Sequence, residues 1–180
     1  MHRFFPLLIG GAAPLAAACG MWTPFLPDTR TPADRANELM AKCSNEPDDG
    51  DPVNPAAIEE VDQLLTKVPS NGDRAIHLRG AELHLRPIGN VSAEGLQRKV
   101  ECHEAMVTLG RAEPLPNDPY VLDGAWLVLK VRSDGDAFIV SIQTDVLEQA
   151  KLVLEHARRY GSHAAQVAAG APSTASSSAP

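Results

Sequence analysis

The chain has 180 residues and a formal net charge of −7, with 16 Lys and Arg against 23 Asp and Glu. An acidic surface repels phosphate backbones, and no basic stripe with interleaved aromatics is present, so nucleic acid is excluded as a partner. Only 4% of residues are aromatic, which leaves the core to Leu, Val, Ile and Ala and suits one small domain.

Residues 1–18 read as a bacterial signal peptide. His2 and Arg3 form a short positive start, and the apolar run from Phe4 to Ala18 ends in small residues. The run is too short and too rich in Gly and Pro to span a membrane, which takes about 20 apolar residues. Ala16-Ala17-Ala18-Cys19 has the form of a lipobox, with Ala16 where Leu is usual and Leu15 one place earlier. Cys19 is therefore the expected lipidation site. Each buried CH₂ of an acyl chain contributes about 0.8 kcal/mol, so two or three chains hold a small domain durably. Ala16 and Ala18 also satisfy general signal peptidase, which would leave the protein secreted if Cys19 is not acylated. Gly20 stands where Asp would retain a lipoprotein on the inner membrane, which points to the outer membrane.

Residues 19–31 are Pro-rich and read as a tether, with Trp22 and Phe25 able to rest at a lipid interface. A single domain is expected over 32–169. Thr31 caps a first helix with Pro32 at its first position and Ala36, Leu39, Met40 and Cys43 along one stripe. The acidic loop of Glu46, Asp48, Asp49, Gly50 and Asp51 fails the calcium-loop template, because Pro47 takes a ligand place and Ala56 stands where Glu is required. Asn54-Pro55 opens a second expected helix, with Ile58, Val61, Leu64, Leu65 and Val68 at helical spacing and Pro69 and Gly72 as its end. The helical segment thus runs over 32–69.

From residue 74 the period changes. Ile76 and Leu78 share one parity, and Ala81, Leu83 and Leu85 the other, so a β-bulge near Gly80 puts all five on one face and His77 and His84 on the opposite one. Ser92 caps a helix to about Leu109 with Leu96, Val100, His103 and Val107 inward, where His103 reads as a hydrogen-bonded core histidine. Asp134-Gly135 marks a hairpin in which Ser133 faces Asp136, Val131 faces Phe138, Leu129 faces Val140 and Leu127 faces Ile142. A last helix is capped by Asp145 and Glu148 and buries Val146, Ala150, Val153, Leu154, Ala157 and Tyr160. The Ala/Ser-rich end, 170–180, lacks the apolar surface to order itself.

The predicted fold is α+β, a ferredoxin-like split β-α-β-β-α half-sandwich over 74–161. It has a three-stranded sheet of order 1-3-2 and is preceded by two helices. Export makes Cys43 and Cys102 a candidate disulfide, worth about 4 kcal/mol in the chain-entropy model. The alternative is a pair of reduced structural or metal-binding thiols.

His77, His84 and Glu82 on the uncovered sheet face form a candidate zinc or copper set, although a solvated strand face carries such residues anyway. The same face is expected to hold Trp126, Val128 and Ile139 among Arg86, Lys130, Arg132, Ser141 and Gln143. It either docks a partner or is covered by the N-terminal helices, and covering is the favoured expectation. No Ser-His-Asp context, phosphate loop or HExxH is present, so neither catalysis nor a cofactor is expected.

"LQRKVECHEA" and "SDGDAFIVSIQTD" resemble small exported bacterial proteins of unknown function. The resemblance covers Gly80 to about Tyr160 and implies no activity. It also implies a cysteine just before "PY" that pairs with the helix cysteine; here that place is Asp118. The expectation is a membrane-tethered envelope lipoprotein, a binding module whose partner is another envelope protein. The alternative is a periplasmic metal-binding protein using His77, His84 and Glu82.

Overall fold

The computed structural model describes residues 29–43, 51–70 and 73–170. The expected signal peptide, Cys19, most of the tether, residues 44–50 of the acidic loop and the tail from 171 lie outside the described residues.

Three helices and four strands make an α+β fold. They are α1 (Pro32–Met40), β1 (Ile58–Ser70), β2 (Asp73–Leu85), α2 (Ala93–Thr108), β3 (Val128–Asp134), β4 (Ala137–Gln143) and α3 (Leu147–Gly170), with a 3₁₀ turn at Pro55–Ala57. The strands form one antiparallel sheet of order β1-β2-β4-β3. The three strands expected from sequence keep the expected relative order. The three-stranded sheet and the second N-terminal helix are corrected, because 58–70 is a strand paired along its length with β2. Its apolar residues fit a helical period, but Ser70 faces Asp73 across the two residues Asn71-Gly72. Asn-Gly is the strongest short hairpin signal. Here it starts a return strand, and the ladder hydrogen bonds outweigh the periodicity.

The bulge falls where the parity switch required it. Leu64 pairs with Gly80 and Leu65 with Leu78, leaving Arg79 unpaired on that side, and the Arg79 carbonyl accepts from Thr144 N at 2.9 Å. Gly80 has φ +144, and a Cβ there would stand 2.0 Å from the Ile142 carbonyl oxygen. Only glycine allows that approach.

The β3–β4 hairpin differs from expectation by one step. Asp134 pairs with Ala137, Val131 with Val140 and Leu129 with Ile142. Gly135, at φ +65, thus takes the first central place of the turn rather than the second. Both registers set apolar against apolar on the same face, so hydrophobic patterning had no power to choose between them.

The inner face, with Leu83, Leu85, Val140 and Ile142 buried, packs under α2 and α3 against Leu96, Val100, Val153 and Ala157. The expected cap at Asp145 is corrected: Asp145 pairs with Arg79 and Val146 is exposed, while Thr144, three residues before α3, braces its first turn, Oγ1 accepting from Val146 N and donating to Gln149 Oε1. At the other end of the chain, Thr31 and Asp34 form a reciprocal capping box on α1, and the two hydrogen bonds from Thr31 hold the Asp34 carboxyl below its ordinary range.

α1 does not cover the sheet. It rests on α2 with Ala36 fully buried, and Cys43 just beyond it is bonded to Cys102 of α2, with Cα atoms 5.8 Å apart. Expected covering of the outer face by two N-terminal helices is therefore corrected: one helix packs on α2 and the other segment is a strand.

Gly80→Ala is expected to destabilise by about 3 kcal/mol or more, because the backbone of β4 must move. A thermal or urea midpoint within error of the wild type would refute the close contact.

Candidate functional site

β3 is the edge of the sheet beside α2, and α2 seals it with side chains. A two-residue turn closing on Asp134 and Ala137 directs the backbone of residues 128, 130, 132 and 134 towards β4, so 127, 129, 131 and 133 point outward. Leu127 N donates to Glu104 Oε1 at 2.7 Å, and Val131 N donates to Gln97 Oε1 at 3.2 Å. Gln97 Nε2 in turn donates to Glu101 Oε1 at 2.8 Å. Residues 97, 101 and 104 recur at helical spacing, so one polar row of α2 runs along the strand edge.

Glu104 is 2% exposed. Burial pushes its carboxyl up to about 8; the Leu127 amide and Arg35 oppose the shift, while Glu101 and Asp118 add to it. At neutral pH the side chain is mainly protonated, which spares the interior a buried charge. Above it lies a cleft of about 260 Å³ between α1, α2 and the lead-in to β3, lined among others by Arg30, Arg35, Glu38, Lys42, Glu101 and Trp126. Arg30 pairs with Glu38 across the cleft at 2.7 Å.

A second polar cluster locks α2 to the loop before β3. His103 Nε2 and Asp118 Oδ2 are 2.6 Å apart, and both side chains are about 5% exposed or less. Asp118 also accepts from Leu115 N and Tyr120 N, and its carbonyl accepts from His156 Nδ1 of α3 at 3.0 Å. The Tyr120 ring meets His103 and Tyr160 edge-on, and the Tyr160 hydroxyl donates to the Val53 carbonyl at 2.7 Å. Burial pushes the Tyr120 and Tyr160 hydroxyls well up. The Tyr120 hydroxyl is enclosed without a hydrogen-bond partner. A His–Asp pair has the chemistry of a general base, but this one is closed to substrate and each of its contacts joins elements of the fold.

The residues singled out in the sequence are distributed as follows. Cys43 and Cys102 are bonded to each other. His77, Glu82 and His84 share the outer face of β2, as the bulge requires, yet His77 lies about 20 Å along the strand from His84. His84 Nε2 stands 3.4 Å from Asp62 Oδ2 without hydrogen-bond geometry. Glu82 accepts from Ser141 Oγ at 2.9 Å. The structure does not gather the three, and among the described residues no three His, Cys, Asp or Glu side chains are placed to hold a metal.

On the outer face, Glu60, His84, Ile139 and Arg132 lie in one row across the strands, and Asp62, Glu82, Ser141 and Lys130 in the next. Val128 belongs to that face, whereas Trp126 lines the cleft.

Glu104 and Asp118 were missed as core residues. Glu104 was findable, since it stands four residues after Val100 on the apolar stripe. Asp118 carried only a turn-like context. Among the described residues no helix is long and apolar enough to cross a membrane. Compared with known protein families, curated proteins and solved structures, the chain shows no match.

Two outcomes are expected. Glu104 takes up its proton on folding between its ordinary value of 4.5 and about 8. Stability therefore falls as pH rises through that window, by up to about 5 kcal/mol, and levels off above it. Glu104→Gln should flatten this fall; an unchanged slope of melting temperature between pH 5 and 8 would count against it. Asp118→Ala orphans His103 and two backbone amides, so a loss of about 3 kcal/mol is expected in chemical denaturation. A loss below 1 kcal/mol would show that the cluster is not a lock.

Proposed function

We propose that the protein is an exported, lipid-anchored binding module of a bacterial cell envelope, without catalytic activity. The observation that carries this reading is the Cys43–Cys102 disulfide. Cross-links between structural cysteines persist where thiols are oxidised, outside the cytoplasm. The signal-like residues 1–18 ending at Cys19 supply the matching export route. On this reading Cys19 is acylated, residues 19–31 space the domain from the membrane, and the outer membrane is favoured through Gly20.

The domain suits holding rather than converting a ligand. His103, Glu104 and Asp118, its groups with acid–base chemistry in the interior, are each engaged in a hydrogen bond between elements. The outer face has exposed charges at its two edges, acidic Glu60 and Asp62 on β1 and basic Lys130 and Arg132 on β3, on either side of buried Ile139 and Ser141. A face with both signs of charge fits a polar surface of another envelope protein. The ferredoxin-like reading of the fold belongs here as well: it takes β2-α2-β3-β4-α3 as the half-sandwich, with β1 where a strand after the last helix would otherwise lie.

The test is intact mass with fractionation of the host. The wild type should sit in the membrane fraction, with a mass starting at Cys19 plus acyl chains and a gain of two hydrogens on reduction. Cys19→Ala should move to the soluble fraction. An unmodified wild-type mass in the soluble fraction would sink the anchor, and a mass unchanged by reduction would sink the disulfide.

A further inference from the structure

β1 has 13 residues, whereas β3 and β4 have 7 each. β4 meets β2 only between Gly80 and Leu85, so the pairs from Leu65 with Leu78 to Ser70 with Asp73 form a two-stranded ribbon running past the sheet. Its inner face is open and mixed: Leu65 is 50% exposed and Ile76 63%, with Lys67 directly opposite Ile76. A two-stranded ribbon is marginal in water unless something packs on it.

The two edges of the sheet are handled differently. On β3, Glu104 and Gln97 occupy outward amides. On β1, the alternation set by the Ser70–Asp73 pair turns the amides of Val61, Gln63, Leu65 and Lys67 away from β2. Among the described residues nothing accepts from them. Pro69, outward too and without an N–H, and Lys67 blunt only the far end of that stretch.

We propose that β1 is a dimerisation edge, pairing antiparallel with β1 of a second copy about a two-fold axis at Leu65. The charges of the strand favour an antiparallel second copy, whose Lys67 half then lies beside the acidic half, and they narrow the register. Glu59, Glu60 and Asp62 lie in its first half and Lys67 in its second. With the axis at Leu65, Asp62 lies opposite Val68, Gln63 opposite Lys67 and Leu64 opposite Thr66 of the other copy, and no like charges meet. An axis at Val61 would set Glu60 against Asp62 and one at Lys67 would set Lys67 against itself, both disfavoured; of the remaining centres, Gln63 and Leu65, only Leu65 brings the half-exposed leucines of the two copies together. The pairing is isologous, as a closed dimer requires. It also brings each ribbon beside the first half of the other copy's β1, where Gly161 of α3 lies against Ile58 and Val61. Leu65 meets Leu65, and the open face of the ribbon gains a neighbour.

The proposal does not depend on acylation, which would only concentrate the copies on one surface. The test is sedimentation of the exported protein over a concentration series, with two variants. The wild type sediments as a dimer. Leu65→Lys places like charges at the axis and weakens association by about tenfold or more, with unchanged circular dichroism and melting temperature at a dilution where both are monomeric. Leu65→Cys cross-links to a dimer under mild oxidation, since facing Cα atoms of such a pair lie within disulfide reach. A wild type that is monomeric at every concentration overturns the proposal and leaves the edge to an extended segment of another protein. So does a dimer that survives Leu65→Lys and fails to cross-link through Leu65→Cys.

Discussion

One strand has to satisfy two partners of different reach, and the bulge at Arg79–Gly80 is how β2 does it. Below the bulge β2 pairs on both sides; above it only β1 remains, and the chain continues as a ribbon. The extra residue turns the Arg79 carbonyl towards Thr144, and Thr144 braces the first turn of α3 through Gln149. The same glycine therefore controls where the sheet ends, where the last helix begins and how closely β4 approaches. A residue with a Cβ at this point would separate all three.

With so few aromatics, the interior is closed by polar cross-braces as well as by aliphatic packing. His103–Asp118 ties α2 to the loop ahead of β3, His156 adds α3 to the same carboxylate residue, and Tyr160 reaches the backbone at Val53. Glu104 and Gln97 then attach α2 to the strand edge. Each brace uses a group that would be costly to bury alone, so the cluster is stable only as a set. The disulfide extends the same pattern to α1, which has little else than Ala36 to bury.

Much of this architecture was legible in advance. Alternating parity across residues 76–85 required the bulge, and Thr31-Pro32 marked the start of α1. Asp134-Gly135 located the second hairpin, although not its register. The first hairpin was not legible, because Ile58, Val61, Leu64, Leu65 and Val68 satisfy a helical period, while Gln63 and Lys67 share a strand face with Val61 and Leu65, and Leu64 and Val68 share the other with Glu60 and Asp62. Glu59, which shifts the register at the start of β1, blurs the strand pattern further. The metal set of His77, Glu82 and His84 rested on a shared strand face alone, and the rise of about 3.3 Å per residue along that strand keeps His77 far from His84.

By itself the sequence determined the local conformations whose causes are local: caps at Thr31 and Ser92, the two-residue turn signals and the parity switch at Gly80, along with an acidic composition that repels phosphate backbones. Its three cysteines also limited the possible cross-links to three pairs. Only the tertiary structure decided that 58–70 is a strand, that α1 lies on α2 rather than on the sheet, and that Asp118 and Glu104 are interior. The physical reason is common to all three. Each depends on which surface is available to complete a backbone or side-chain hydrogen bond once the chain is folded, and a stretch of residues carries no record of its distant neighbours.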